Sequence, residues 1–154
     1  MSFGDLYHPR VLELAADIPH VGRLTAPQAS ATRVSKLCGS VVTVDLTLAD
    51  GKVSAIAVEP RACALGQASA AVLAMNALGA TVEEIVAARD GLRAMLKEGA
   101  DPPTGRFWEL RHLAGVRDYP SRHASTLLAF DAAAEAAATA LGDSAPLSAS
   151  AAPG

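Results

Sequence analysis

The residues of this 154-residue sequence best suited to chemistry are its two cysteines. Cys38 stands in Leu37-Cys38-Gly39-Ser40, and Cys63 follows 25 positions later in Arg61-Ala62-Cys63-Ala64. The thiolate, not the thiol, is the form that binds iron or zinc and that attacks or carries sulfur. Cys63 precedes an alanine-rich stretch that reads as a helix, and a helix start offers partial positive charge and unpaired N–H groups to a thiolate. Arg61 would push in the same direction. Two such sulfurs on one edge would be half of a four-ligand soft-metal site. The residues alone leave other readings open. Free cysteine often packs as a small hydrophobe, the two could form a disulfide, or they could act as a redox pair, though without the C-x-x-C spacing that tunes such pairs.

Bringing both thiols together requires a hairpin. In residues 40–48, Val42, Val44, Leu46 and Leu48 alternate with Thr43, Asp45 and Thr47, the period of a half-buried strand. Asp45 falls on the polar, solvated face. Asp50-Gly51 is a two-residue turn signal, because both positions accept positive φ. The return strand, 52–59, is apolar enough to lie inside the sheet, and Pro60 is expected to stop it. With the turn at one end, the outer ends meet at the other, and Cys38 and Cys63 share it.

The remaining elements follow from punctuation. Residues 5–17 read as a helix with Pro9 in its first turn, Pro19, His20 and Gly22 as a turn, and the polar 28–36 as a weak edge strand. A helix over 63–78 ends at Gly79, and Thr81 with Glu84 has the spacing of a capping box opening a helix over 82–97. Gly91 could divide that helix. Asp101-Pro102-Pro103 and Gly105 form a loop, followed by a short helix near 107–113 whose Trp108 is expected to anchor it in the core. Pro120 precedes a last helix, 121–141. The order predicts an α+β domain over 1–142, with a small antiparallel sheet of about three strands and helices on one face. The low-complexity end, 143–154, is expected to be a disordered tail.

Composition narrows the function. Hydrophobic residues are 51% of the chain and aromatic ones 4%, so small aliphatic side chains must fill the core. A net charge of −3 with scattered Lys and Arg argues against nucleic acid as a partner. No apolar run is long enough to span a membrane, and the N-terminus lacks signal-peptide character, which places the protein in the cytoplasm. Disulfides are disfavoured there. No catalytic triad or phosphate loop is visible, so turnover chemistry is not expected.

These segments resemble, in order, the motifs of the NifU/IscU/SufU iron–sulfur scaffold family. Leu37-Cys38-Gly39-Ser40 is similar to that family's N-P-x-C-G-D, and Cys63 with its small-residue helix is similar to the G-C segment. Pro120-Ser121-Arg122-His123-Ala124-Ser125 resembles P-x-[RK]-x-x-C, while the stretch from Leu110 to Pro120 resembles the SufU branch. The resemblance spans roughly residues 5–140 and implies a NifU/IscU-like fold. It implies that three cysteines and an aspartate hold a nascent iron–sulfur cluster or a zinc ion, with sulfur supplied by a cysteine desulfurase and the cluster passed to recipient apo-proteins. Cys38 and Cys63 match two of those ligands. The aspartate position is Ser40, the third cysteine position is Ser125, and the glycine before the second cysteine is Ala62. Protonated hydroxyls are poor ligands for Fe²⁺ and Zn²⁺. His123 is the nearest replacement ligand; His8, His20 and His112 have no partner at metal spacing. Two readings follow: a scaffold or carrier holding iron, zinc or a cluster weakly through two cysteines, which a homodimer could complete, or a degenerate homologue that binds a desulfurase or accepts sulfur without stable metal binding.

Overall fold

The computed structural model describes residues 8–36 and 39–144. Helix α1 (Pro9–Ala16) opens with Pro9 at its first position, where the missing N–H costs nothing, and buries Val11 and Leu14. Three antiparallel strands follow in sequential order: β1 (Ala29–Val34), β2 (Val41–Ala49) and β3 (Lys52–Arg61). Asp50 (φ 55°) and Gly51 (φ 77°) both adopt the left-handed region in the two-residue turn, as its Asp-Gly sequence requires. The interior strand is β2. The expectation that the return strand lies inside the sheet is corrected: β3 is an outer strand whose free edge, among the described residues, meets isolated bridges at Val21 and Thr81. That placement also explains Pro60, which does not end the strand but pairs opposite Val42 within it. An outer strand tolerates a residue that cannot donate on its free side.

Helix α2 (Ala64–Asn76) packs on β3, and the long helix α4 (His123–Ser144) packs on β1 and β2. Helix α3 (Val82–Glu98) begins with the reciprocal capping box of Thr81 and Glu84 and runs unbroken through Gly91. A Cβ at Gly91 would lie 3.1 Å from Pro103 Cγ, so the glycine admits the Pro102-Pro103 loop rather than dividing the helix. Between α3 and α4 runs a 3-10 segment, Gly105–Asp118, kinked at Phe107. Its buried residues, Phe107, Leu110, Leu113 and Val116, recur every third position, the period of a helix with three residues per turn. Trp108 is therefore off that face. It is 47% exposed, and Phe107, edge-on to Phe130, anchors the segment instead.

The sheet's second face is not bare either. Asp45, expected to be solvated, is fully buried beneath the chain that enters β1. Its carboxylate accepts from Arg23 Nε at 2.7 Å, from the Leu24 N–H at 3.0 Å and from the Ser30 hydroxyl. These donors hold the carboxyl below the usual carboxylate range although burial pushes it up. Asp143 and Ser144, expected to begin a disordered tail, belong to α4 instead, and the rest of that expected tail lies outside the described residues. The expected first turn of α1 at 5–7 also lies outside them. No described helix is long and apolar enough to cross a membrane.

Candidate thiol site at the sheet end

The register aligns three strand ends at one edge. Val41, the first residue of β2, pairs on one side with Val34, the last of β1, and on the other with Arg61, the last of β3. The hairpin thus brings residue 41 beside residue 61, as the sequence required. The β1–β2 connection closes on itself: the Gly39 N–H donates to Ser35 O at 2.8 Å and the Ser35 N–H to Ser40 O at 2.8 Å. Gly39 takes φ +73°, a conformation that favours glycine. Ser40, at the family's aspartate position, is buried. Cys38, with Leu37, lies outside the described residues.

Cys63 is the N-cap of α2, and its carbonyl accepts the first helical bond from the Gln67 N–H. Its thiol is half-buried. Burial pushes the thiol up, but the Ser125 hydroxyl, the Gly66 and Leu65 amides and the charge of Arg122 together hold it below its ordinary value. These two N–H groups lie in the first turn of α2, and both favour the anionic form of the sulfur. The charge of Arg122, on the approach to α4, acts on the sulfur, while Arg61, expected in that role, is exposed to solvent at the end of β3.

Ser125 Oγ lies 3.5 Å from Cys63 Sγ and is fully buried. The hydroxyl also donates to Arg122 O at 3.2 Å, an oxygen shared with Thr126 Oγ1 at 2.8 Å. This close approach of α2 and α4 depends on Gly66. A Cβ there would stand 3.0 Å from Ser125 O and 2.7 Å from Ala62 Cβ. Arg122 fills the [RK] position of the P-x-[RK]-x-x-C resemblance, but nothing in the sequence assigns it to the sulfur. Gly66 is not singled out there at all: its signal, a glycine inside an alanine-rich helix, is weak without the pairing of α2 and α4.

His123 opens α4 and is buried. Its Nε2–H donates to Val116 O at 3.0 Å and Arg117 O at 3.2 Å, tying the helix start to the end of the 3-10 segment. Only Nδ1 therefore keeps a lone pair for a metal. Among the described residues, no group of three or more His, Cys, Asp or Glu side chains is placed to hold a metal ion. What the described site offers is one activated thiol with a buried hydroxyl beside it, a set able to hold or carry sulfur but poor in ligands for a soft metal.

A family model described as the NifU-like N terminal domain matches residues 6–139. The crystal structure of a nitrogen-fixing NifU-like protein (N-terminal) from Brucella abortus is 49% identical and superposes with a TM-score of 0.89, covering 93% of this chain and 99% of that one. The iron–sulfur cluster assembly scaffold protein IscU of Thermotoga maritima is 26% identical over 136 residues, 88% of this chain and 95% of that protein. The scaffold protein of the same name from Streptococcus pyogenes is 28% identical over 99 residues, 64% of this chain; the match spans 62% of that protein's length.

Proposed function

We propose that this chain, which belongs to the NifU-like N terminal domain family, is an iron–sulfur cluster assembly scaffold or carrier. Its cargo is a cluster, iron or zinc held weakly through Cys38 and Cys63. The observation that carries the reading is Cys63 itself, a half-buried thiol at the start of α2 whose surroundings favour its ionised form. The reading gains support from the strand register, which sets residues 34, 41 and 61 side by side at the edge where the Cys38 loop begins and ends. A dimer would supply two cysteines from each chain, matching the four-thiolate set that clusters prefer. The partners in this reading are a cysteine desulfurase and recipient apo-proteins, and the compartment is the cytoplasm. His123 Nδ1 and Ser125 are the further candidate ligands, both weaker than a third thiolate.

The test is iron, zinc and acid-labile sulfide content after anaerobic purification and reconstitution. Near-stoichiometric uptake that is lost in Cys63→Ala supports the reading; wild-type protein that takes up no more than the variant removes it.

Ser125 favours a second reading. A hydroxyl rather than a thiol stands 3.5 Å from Cys63 Sγ, which leaves that sulfur free to act alone. In this reading the Cys63 thiolate attacks the outer sulfur of a desulfurase persulfide. One S–S bond forms on Cys63, the donor's S–S bond breaks, and its thiolate leaves with the electron pair. Transfer of labelled sulfur to protein lacking Cys38, with no metal uptake, would select it.

A further inference from the structure

A cluster of rings and charges lies outside the thiol site, where α1 meets the 3-10 segment. We propose that the His8–His112 stack is an acid-sensitive latch that holds the start of α1 on the body of the domain. His8 is the N-cap of α1, and its Nδ1 accepts the Arg10 N–H at 3.0 Å. Its ring stacks on His112 with centroids 5.0 Å apart and planes 25° apart. Two residues on, Arg10 grips Glu109 through Nε at 2.7 Å and Nη2 at 3.1 Å. These contacts fix the first turn of a helix whose buried residues are Val11 and Leu14.

Protonation works against this arrangement in three ways. A protonated Nδ1 carries a hydrogen and can no longer accept the Arg10 N–H, so the cap is lost. A positive charge at a helix N-terminus opposes the helix dipole, and the first turn of α1 holds no acidic residue to offset it. Two imidazolium rings in a stack repel each other. Among the described residues, the charged groups around the pair are Arg10 and Glu13 from α1 and Glu109 and Arg111 from the 3-10 segment. Helix α2, which also packs on α1, contributes no ionisable side chain. Glu109 could compensate, lying 3.6 Å from His112 Nε2, but it is already bound to Arg10. The balance agrees: burial and the neighbouring His8 hold His112 below the ordinary imidazole value of 6.5, against the pull of Glu109. A site depressed in the folded state stabilises fully above that value and loses its contribution as pH falls.

The test is hydrogen exchange on the full chain. The Val11 and Leu12 amides both bond to His8 O and report the first turn directly. Corrected for intrinsic chemistry, their protection is expected to fall about fivefold to tenfold between about pH 7.5 and about pH 5.5, the worth of one lost cap across the histidine range. Amides within α3 should keep their protection, separating latch release from general unfolding. His8→Asn retains a strong capping acceptor without a titrating ring and should hold its protection at both pH values. Trp108, the sole tryptophan, sits 5.9 Å from the His112 ring, so its fluorescence should titrate with His112 below pH 6.5. Wild-type protection that does not change, or a fall of comparable size in His8→Asn, overturns the proposal.

Discussion

At Cys63 two effects compete. Burial of the sulfur favours the neutral thiol, while a hydroxyl, two amides and an arginine favour the anion and prevail. Ser125 is the member of that group easiest to isolate. When the sulfur ionises, the Ser125 hydroxyl can turn from Arg122 O to the thiolate at little cost, because Thr126 Oγ1 still donates to that carbonyl. In protein carrying Cys38→Ser, where Cys63 is the sole thiol, the pH midpoint of alkylation should lie below that of free cysteine. Ser125→Ala should move it upward and slow alkylation several-fold at neutral pH; an unmoved midpoint would show that the hydroxyl does not act on the sulfur. Asp45 offers a test with the sign reversed in consequence. Its carboxyl titrates below the ordinary 3.8, so its contribution is present above that pH and fades as pH falls through the folded value. Asp45→Ala leaves the Leu24 N–H and the Ser30 hydroxyl without their acceptor, at a cost of about 2–3 kcal/mol in urea unfolding at neutral pH, and the loss should shrink in acid. The sequence could suggest an activated Cys63, because a cysteine before an alanine-rich run is a local feature. It could not suggest Asp45, whose partners Arg23 and Ser30 come from segments with no periodic signal.

Among the elements, those governed by neighbouring residues were legible. Alternation in β2, positive φ at Asp50-Gly51 and the Thr81–Glu84 capping box each need only a few adjacent side chains. Elements whose character depends on tertiary contact were not. The 3-10 segment misled because its buried positions fall every third residue, which moves the core face from Trp108 to Phe107. Pro60 misled because it stops a central strand but not an outer one. Glycines inside helices separate the same way, and they give a paired prediction. Gly66→Ala drives a Cβ against the backbone at Ser125 and against Ala62, neither able to yield, so overpacking should outweigh the gain in helix propensity. A net loss of about 1–2 kcal/mol is expected, with a Tm lower by about 3–6 °C. Gly91→Ala meets only the ring edge of Pro103 at 3.1 Å, in a loop that can shift. Its Tm should stay within about 2 °C of wild type. Equal losses at the two positions would mean that the α2–α4 contact is no tighter than a loop contact.

For the molecule as a whole, the proposed site is an assembly: the connection after β1, the start of α2 beyond β3, and the approach to α4. The strand register supplies the first two, and Gly66 admits the third. Such an assembly sets metal affinity by which atoms stand at its corners more than by the fold around them. In a tetrahedral zinc site with Zn–S bonds of about 2.3 Å, neighbouring sulfurs stand about 3.8 Å apart. Ser125 Oγ already lies 3.5 Å from Cys63 Sγ, so the spacing suits a shared metal and the atom type does not. Ser125→Cys should therefore supply a third thiolate beside Cys63 and Cys38 without moving the backbone. Zinc affinity measured by chelator competition should rise at least 100-fold over wild type, because a charged soft donor replaces a protonated hydroxyl. Metal bound only by the folded state stabilises it, so zinc at about 100 times the Kd should add about 2.7 kcal/mol to the variant's unfolding free energy. Removing Cys38 from the variant should reverse both gains. A variant that binds zinc no more tightly than wild type would mean that the loop of Cys38 and the start of α2 do not share one metal, and the scaffold reading would give way to sulfur transfer by Cys63 alone.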